Sequence, residues 1–429
     1  MGTGSVGTRH CARPTLAAGR RGDTSTMNIP TAAALLADAR AALPATIAVR
    51  RRLHRTPEVG LRLPATQAIV VDELRAMGLE PRLGSSTTSV TAVIEGARPG
   101  PTIVLRADMD GLPLTEETGL EFASERAGAM HACGHDTHMA MLLGAARLLG
   151  ARRDQLAGRV LLMFQPGEEG FHGARFMLDE GLLDVPAGQE VTGAFALHIS
   201  TRYASGTMDY RPGAMLVAAD FIRLTIRGRG GHASAPHETI DPIPVAAEIV
   251  LALQTMVTRR VDAFDPAVVT IAHIDAGTTT NIIPETAFLE GTIRTASEAT
   301  RALVHAGVRR VVEGICAAHD TTAELEIVPG YPVTLNDPAF TAFAAGVAAE
   351  MLGDDAVIEL ATPIMGAEDF SYVLQRVPGA MFFVGARPPE EDPATAPQNH
   401  SNRVVHHEPA MAVGAAVYAA VALRHLAAG

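Results

Sequence analysis

One eight-residue stretch constrains the fold of this chain more than any other. It runs from His131 to His138, reads HACGHDTH, and continues into the apolar segment MAMLLGAARLLG. Neutral imidazole, thiolate and carboxylate are the side chains that bind first-row divalent metals. No second Cys/His pair follows at zinc-finger spacing, so further ligands must come from distant segments. The fold must therefore bring remote parts of the chain to the start of one apolar helix, as a catalytic metal site requires.

The segments around this stretch alternate between apolar strands and helices. The strand candidates TIVLRADMD, RVLLMFQP and VTGAFALHI are nearly continuous apolar runs separated by helical segments. Such runs predict a parallel-rich sheet that is covered by helices on both faces. Polar residues cluster where each run ends, which is where open α/β sheets place their ligands. We predict an α/β catalytic domain with a mixed, mostly parallel sheet.

Residues 214–332 follow a different pattern. Their order of segments is β-α-β-β-α-β, with one helix from about Pro242 to Arg259 and a second whose apolar stripe includes Leu303 and Val304. This order is the ferredoxin-like split motif, an α+β arrangement. We therefore predict a discontinuous catalytic domain over residues 27–213 and 333–429, interrupted by an inserted lid domain over residues 214–332.

Charge, cysteine usage and the amino terminus limit the possible partners and compartment. The 429 residues include 35 basic and 47 acidic side chains, a net charge of −12, without a basic face for nucleic acid. We expect no apolar stretch of membrane-spanning length. Residues 1–26, which include Cys11, lack the apolar core of a signal peptide and are predicted to be a disordered extension before Met27. Three cysteines fit a reducing cytoplasm better than a disulfide framework.

Several residues that could carry chemistry lie at strand ends or beside glycines. Each has an ordinary structural interpretation as well: a turn aspartate, a solvated acid or a hydrogen-bonded core histidine. The segment RRLHRTPE is interpreted as the end of the first helix, with cations that suit the helix dipole. The candidates are Asp108 and Asp110 in RADMDGLP, Glu168 and Glu169 in FQPGEEG, His198 in ALHIS, His232 in GRGGHASAP, and His400 in QNHSN.

These motifs, together with NIIPE and GAEDFSY, occur in an order that resembles a known superfamily. They look like the dinuclear metallo-amidohydrolases of the aminoacylase/carboxypeptidase-G superfamily, in the branch of hippurate hydrolase and the indole-acetyl-amino-acid hydrolases. The resemblance extends from about Met27 to the carboxyl terminus and depends on long, composite motifs. It also implies a homodimer that forms through the lid domain.

The resemblance implies a role for each candidate residue. Two divalent metal ions, Mn²⁺, Zn²⁺ or Co²⁺, would be present in each subunit, because mixed Cys/His/Glu ligands suit several ions. The implied roles are metal ligands Cys133, His135, Glu169, His198 and His400; general base Glu168; Asp110, which would orient a metal ligand; His232, an electrophile for the partner subunit's site; and Asn281 and Arg294, which would meet the substrate carboxylate.

These roles describe hydrolysis of N-acyl amino acids to a carboxylic acid and a free amino acid. A metal-activated water would attack the amide, and Glu168 would transfer its proton. The alternatives are a dipeptidase, an N-acetyl-diaminopimelate deacetylase, a hydrolase with Cys133 as nucleophile, and a non-catalytic metal-binding module. The GAEDFSY segment is expected to line the pocket, without an assigned role for Glu368 or Asp369.

Overall fold

The computed structural model describes residues 30–428, so the predictions for residues 1–26 and for Met27 lie outside the described part. The strands are β1 Arg82–Leu83, β2 Val90–Glu95, β3 Arg98–Asp108, β4 Ala157–Gln165, β5 Val191–Ala204, β6 Met208–Tyr210, β7 Gly213–Leu216, β8 Ala218–Arg227, β9 Gly231–His232, β10 Ala267–Ala276, β11 Ile282–Ile283, β12 Thr286–Thr295, β13 Thr322–Pro329, β14 Thr334–Asn336, β15 Val357–Glu359 and β16 Gly379–Arg387. The helices are α1 Ala32–Arg55, α2 Pro64–Ala76, α3 His135–Gly150, α4 Gly173–Asp179, α5 Pro242–Arg260, α6 Glu298–Ala318, α7 Pro338–Leu352, α8 Ser371–Leu374 and α9 Ala410–Ala428.

An eight-stranded sheet forms the larger layer, in the order β1-β2-β4-β3-β5-β16-β6-β15. Its centre is parallel: β3 pairs in parallel with β4 and β5, and β16 pairs in parallel with β5. Strand β2 joins β4 antiparallel. The predicted mixed, mostly parallel α/β sheet is therefore confirmed. Because β3, β4 and β5 run in the same direction, their carboxyl ends meet at one edge of the sheet.

Helices cover both faces of this sheet. Helices α1, α3, α7 and α9 pack on one face over an extensive apolar core, and α4 and α8 pack on the other face. Helix α3 is buried on nearly all sides, which matches its apolar sequence. Gly134 precedes it with φ of 91°, and a Cβ atom there would lie 2.4 Å from Ile199 Cγ2. Only glycine fits this turn, which brings the polar HACGHDTH residues against the end of β5.

In the sequence, the strands of a second sheet lie between the two groups of strands that form the larger sheet. It has the order β10-β12-β8-β13, is antiparallel throughout, and packs against α5 and α6. This is the strand order of a ferredoxin-like motif. In helix α6 the predicted stripe is partly wrong: Val304 is buried but Leu303 is 44% exposed. Both neighbours are apolar, so only packing decides which one faces the sheet.

Two helices are long and apolar enough to pass a test for membrane-spanning segments. By length and composition alone, α1 and α9 could cross a membrane, so the expectation that no stretch reaches that length is wrong. However, 83% of the apolar window of α9 is buried inside the fold. The corresponding window of α1 is 33% buried, on the side where this helix packs against α3 and α9.

Candidate metal centre

Polar side chains from five distant segments meet at the carboxyl edge of the parallel strands. Asp108 ends β3, Glu168 and Glu169 follow β4, and His198 lies in β5. The start of α3 and the loop of residues 397–404 complete the cluster. Local strand geometry puts each residue at this edge, as the alternation of strands and helices predicted.

Cys133 lies at the middle of this cluster. Its Sγ atom is 3.4 Å from His198 Nε2 and 3.3 Å from His400 Nε2. His400 Nε2 is in turn 3.2 Å from Glu169 Oε1. His198 donates from Nδ1 to the carbonyl of Ile199 at 2.7 Å, which leaves the Nε2 lone pair directed at the cluster. The four side chains therefore present soft and hard ligand atoms to one another at short range.

His135 adds the fifth candidate ligand and is fully buried. Neither ring nitrogen makes a hydrogen bond of normal geometry. Nδ1 lies 3.5 Å from Oδ1 of Asp110, the residue expected to orient a metal ligand, and Nε2 lies 3.4 Å from Asp108 Oδ2 and 3.9 Å from Glu169 Oε1. A buried ring nitrogen without a hydrogen bond costs about 1–3 kcal/mol of folding free energy, and coordination of a metal ion would offset that cost. His135 belongs to ligand groups with Cys133 and His198 and with Glu168 and Glu169, and Cys133 also groups with Glu169 and His400.

The charge of the cluster fits divalent cations. Burial lowers the pKa of His135, but Asp108, Asp110 and Glu169 outweigh it and raise this pKa to about 10. In the metal-free protein the imidazole of His135 would therefore be protonated, and its positive charge would partly balance the surrounding carboxylates. Glu169 Oε1 is also buried without a hydrogen-bond partner. Unpartnered nitrogen and oxygen atoms amid excess negative charge, beside a thiol, are the donor set that Zn²⁺, Mn²⁺ and Co²⁺ accept.

His138 belongs to the framework of the site. Its Nδ1 donates to Asp108 Oδ1 at 2.5 Å, and its Nε2 accepts the N–H of Ile199 at 2.7 Å. Both nitrogens are therefore occupied. Although His138 lies within metal-binding reach of Asp108 and His135, it has no lone pair left for a cation.

Glu168, the residue expected to be the general base, is a buried carboxylate beside the candidate ligands. Its side chain is 6% exposed and lines a cavity of about 620 Å³ together with Cys133, Glu169 and His198. Burial, followed by the negative charges of Glu368 and Glu169, raises its pKa well above the ordinary value. A raised carboxyl pKa is the property that a general base needs near neutral pH.

The same cavity has apolar walls and one cation. Leu216, Ile364 and Phe383 contribute apolar surface, and Arg294 reaches the cavity from β12 of the second sheet. Desolvation lowers the pKa of the half-buried Arg294. A partly dehydrated guanidinium in a cavity suits a carboxylate ligand, because it has fewer water hydrogen bonds to lose.

Two predicted site residues lie outside this cavity. His232 and Asn281 are exposed and are not among the residues that line it. They are neighbours on a small ribbon, where β9 pairs with β11 and the N–H of Ala233 donates to the carbonyl of Asn281 at 3.1 Å. Within one chain they do not join the other candidates.

The sequence matches the model of Peptidase family M20/M25/M40 over residues 104–424. The chain belongs to this family. The match spans both sides of the inserted sheet and includes every candidate ligand, so the resemblance inferred from the motifs is confirmed.

Relatives of this M20 chain agree on hydrolysis. The chain is 38% identical over 382 residues to Thermostable carboxypeptidase 2 of Saccharolobus solfataricus, which covers 88% of this chain and 94% of the relative. It is 36% identical to IAA-amino acid hydrolase ILR1-like 4 of Arabidopsis thaliana, with 89% and 85% coverage. It is 39% identical to N-acetyl-L-cysteine deacetylase of Bacillus subtilis, with 79% and 80% coverage. The protein is therefore a hydrolase of the amidohydrolase type.

A solved structure supports the dinuclear site. The YXEP protein of Bacillus subtilis, described as a dinuclear metal binding peptidase from the M20 family, superposes with a TM-score of 0.77 at 34% identity, over 90% of this chain and 99% of its own. That description and the ligand groups of this M20 chain agree on metal binding.

The M20 site also depends on residues whose role the sequence did not reveal. His54 was interpreted as one of the cations at a helix end, and Arg50, which precedes that segment, had no assigned role. Both are buried: Arg50 binds Asp136 at 2.7 Å, and His54 binds it at 2.8 Å. Asp136 lies next to His135, so α1 anchors the start of α3. The sequence did contain an indication of this burial, because Arg50 and His54 follow the apolar residues Val49 and Leu53 on the buried side of α1.

A second buried network lies beside Glu168. Arg106 is 1% exposed and binds Asp108 at 2.9 Å, Glu368 at 2.8 Å and Asp369 at 3.3 Å. The GAEDFSY segment does line the cavity, as predicted. Its two acids, which had no assigned role, compensate the charge of Arg106, and their own negative charge acts on Glu168.

Proposed function

We propose that this protein hydrolyses the amide bond of N-acyl amino acids, with two divalent metal ions in each subunit. The observation that carries the proposal is the buried Glu168 beside the Cys/His/Glu cluster, in a cavity that also contains Arg294. A purely metal-binding module needs no second acid of this kind. The names of the relatives, an N-acetyl amino-acid deacetylase among them, support the same reaction.

The residues of the chain divide the work of the reaction. Cys133, His135, Glu169, His198 and His400 would hold the ions. The chemistry that such ions supply when bound is Lewis-acid activation of water and polarisation of the amide carbonyl. Glu168 takes the proton of the attacking water and delivers it to the departing amine, so one carboxylate serves as base and then as acid.

The second sheet supplies the groups that recognise the substrate. Arg294 binds the carboxylate of the amino-acid part through its planar guanidinium. His232 and Asn281 act on the site of a partner subunit in a homodimer, because both are exposed and lie outside their own chain's cavity. His232 stabilises the oxyanion of the tetrahedral intermediate, an interaction worth about 3–4 kcal/mol per donor.

The metal and the compartment complete the proposal. Mn²⁺, Zn²⁺ and Co²⁺ all suit a mixed thiolate, imidazole and carboxylate set. A cytoplasmic location agrees with a buried, unpaired Cys133 that would have to remain reduced. A hydrolase that used Cys133 as nucleophile is disfavoured, since burial and Glu169 raise the pKa of its thiol well above the ordinary value.

A peptidase is the second candidate, and the carboxypeptidase name of one relative favours it. Both candidates are tested by one panel of N-acetyl, N-benzoyl and N-indoleacetyl amino acids and matched dipeptides. Chelated protein receives each metal in turn, and released amino acid is measured by chromatography. We expect chelation to abolish turnover, metal to restore it, and N-acyl amino acids to exceed dipeptides in kcat/KM. Faster turnover of every dipeptide would favour the peptidase, and no turnover of either class would refute both.

A further inference from the structure

The hydroxyl of Tyr331 lies within the loop that carries the general base. It donates to the carbonyl of Glu168 at 2.5 Å and accepts the N–H of Gly170 at 2.7 Å and that of His172 at 3.4 Å. A phenol has one proton to donate and two acceptor positions. The Tyr331 hydroxyl therefore makes its one donated and two accepted hydrogen bonds with the backbone of a single loop, residues 168–172.

Asp110 completes the attachment of this loop from the other side. Its Oδ1 accepts the N–H of Glu168 at 2.9 Å, and its Oδ2 accepts the N–H of Glu169 at 3.1 Å. Two side chains thus bind five backbone groups between residues 168 and 172. Asp110 orients the start of the loop, and Tyr331 holds its continuation.

Tyr331 also lies where the chain returns from the second sheet to the first. Its carbonyl accepts the N–H of Ala219, at the entrance to β8, at 3.0 Å. The preceding residue, Gly330, donates its N–H to Asp220 Oδ1 at 3.0 Å, and Asp220 binds Arg301 of α6. The two chain crossings between the sheets are therefore joined at Tyr331.

We propose that Tyr331 is a positioning residue, which fixes the Glu168 loop relative to the second sheet so that the base is correctly placed when Arg294 holds the substrate. This inference rests on the proposed function, because it concerns the same base. Burial and the nearby acids raise the pKa of the hydroxyl, which keeps it protonated and able to donate. The general acid–base contribution depends on placing the carboxylate within hydrogen-bond reach of the proton it takes.

The test is Tyr331→Phe, which keeps the ring and its edge-to-face contact with His172, at 4.9 Å between centroids. Gly170 is exposed, so its amide can bind water in the variant and the fold should persist. We expect kcat to fall about 10-fold or more with KM within about twofold, because a few tenths of an ångström at the base cost rate and not binding. Metal content should stay at the wild-type value.

Amide hydrogen exchange gives a readout that does not depend on turnover. Peptides that span residues 168–172 should exchange faster in Tyr331→Phe than in wild type. The matched control is Tyr372→Phe, which removes a hydroxyl from a neighbouring ring. That hydroxyl contacts His172 Nδ1 at 2.9 Å and the carbonyl of Gly330 at 3.4 Å, but no backbone group of residues 168–170. The control should keep wild-type exchange in those residues and a kcat within about threefold.

Three outcomes would overturn the inference. They are an unchanged kcat, an increase in KM alone, which would mean that the hydroxyl binds substrate, and a loss of metal, which would mean that Tyr331 acts through Glu169. If wild-type protein hydrolyses no N-acyl amino acid, the proposed function fails. In that case unchanged exchange in Tyr331→Phe would separately refute the positioning of the loop.

Discussion

Replacing Glu168 with glutamine should lower activity and raise the stability of the metal-free protein. Glutamine keeps the size of the side chain but removes its charge and its ability to accept a proton. The backbone of Glu168 is held by Asp110 and Tyr331. Because neither of these contacts uses the carboxylate, the loop should keep its conformation, and Glu169 should keep its place among the candidate ligands.

The substitution should lower kcat but raise the stability of the metal-free protein. Loss of a general base costs about 10²–10⁴-fold in kcat, which corresponds to about 2.7–5.4 kcal/mol of barrier. In the metal-free protein, burial together with Glu368 and Glu169 raises the pKa of Glu168. When folding raises the pKa of a carboxyl, the folded protein loses stability as the pH rises through the folded pKa, because the buried group must then ionise. The glutamine variant has no such loss, so its thermal midpoint should exceed that of wild type at pH 8.

Three measurements decide this prediction. Elemental analysis should find near-wild-type metal in Glu168→Gln and much less in the control variant Glu169→Ala. Steady-state kinetics should find the loss in kcat. Thermal unfolding of chelated protein should show a higher midpoint for Glu168→Gln than for wild type at pH 8. This difference should become smaller as the pH is lowered towards 4.5, the ordinary pKa of the carboxyl group. Metal loss equal to that of Glu169→Ala, or turnover within about tenfold of wild type, would refute the assigned roles.

Three further predictions address other parts of the molecule. Cys133→Ser should lower metal affinity sharply, since a hydroxyl is a far poorer ligand than a thiolate; unchanged metal stoichiometry by elemental analysis would remove Cys133 from the ligand set. Burial raises the pKa of Asp209 from 3.8 to about 6, against a hydrogen bond from Thr207 at 2.8 Å, so Asp209→Asn should stabilise the protein by on the order of 1 kcal/mol at pH 7.5 and little below pH 4; equal shifts of the urea midpoint at both pH values would contradict this. Homodimers of His232→Ala and of Glu168→Gln should each be nearly inactive, whereas re-equilibrated mixtures should recover about a quarter of wild-type activity, because half the dimers would contain one intact site; no recovery despite proven subunit exchange would place His232 in its own subunit or outside catalysis.

Local patterns were sufficient for the longer helices and strands that the sequence predicts. The sequence predicts α5 from Pro242 to about Arg259, and it ends at Arg260. Asp241 caps its start through the N–H of Ile243 at 2.9 Å. These features are predictable because apolar period, capping residues and prolines act within one or two turns of the chain. The face that a helix buries is less local, as exposed Leu303 beside buried Val304 demonstrates.

The residue types at strand ends also indicated the candidate site. Glu169 and His198 could be singled out because the carboxyl ends of parallel strands share one edge. Cys133 and His135 stood out through the density of metal-binding side chains in HACGHDTH, and the family resemblance implied that all four are ligands. The motifs extended this set to His400, which the structure brings to the same cluster. Their proximity thus follows from the pattern of strands once the sheet is parallel.

The buried partners of that site were decided by the tertiary structure alone. Arg50 binds Asp136 across 86 positions of sequence, and Tyr331 binds the backbone of the Glu168 loop across 163. In the sequence, a charged helix end and a tyrosine after a glycine are ordinary surface features. They acquire their role only when burial removes water, because each polar group must then find a partner inside the protein. Which partner it finds depends on the packing of remote segments, and no local pattern of residues records that packing.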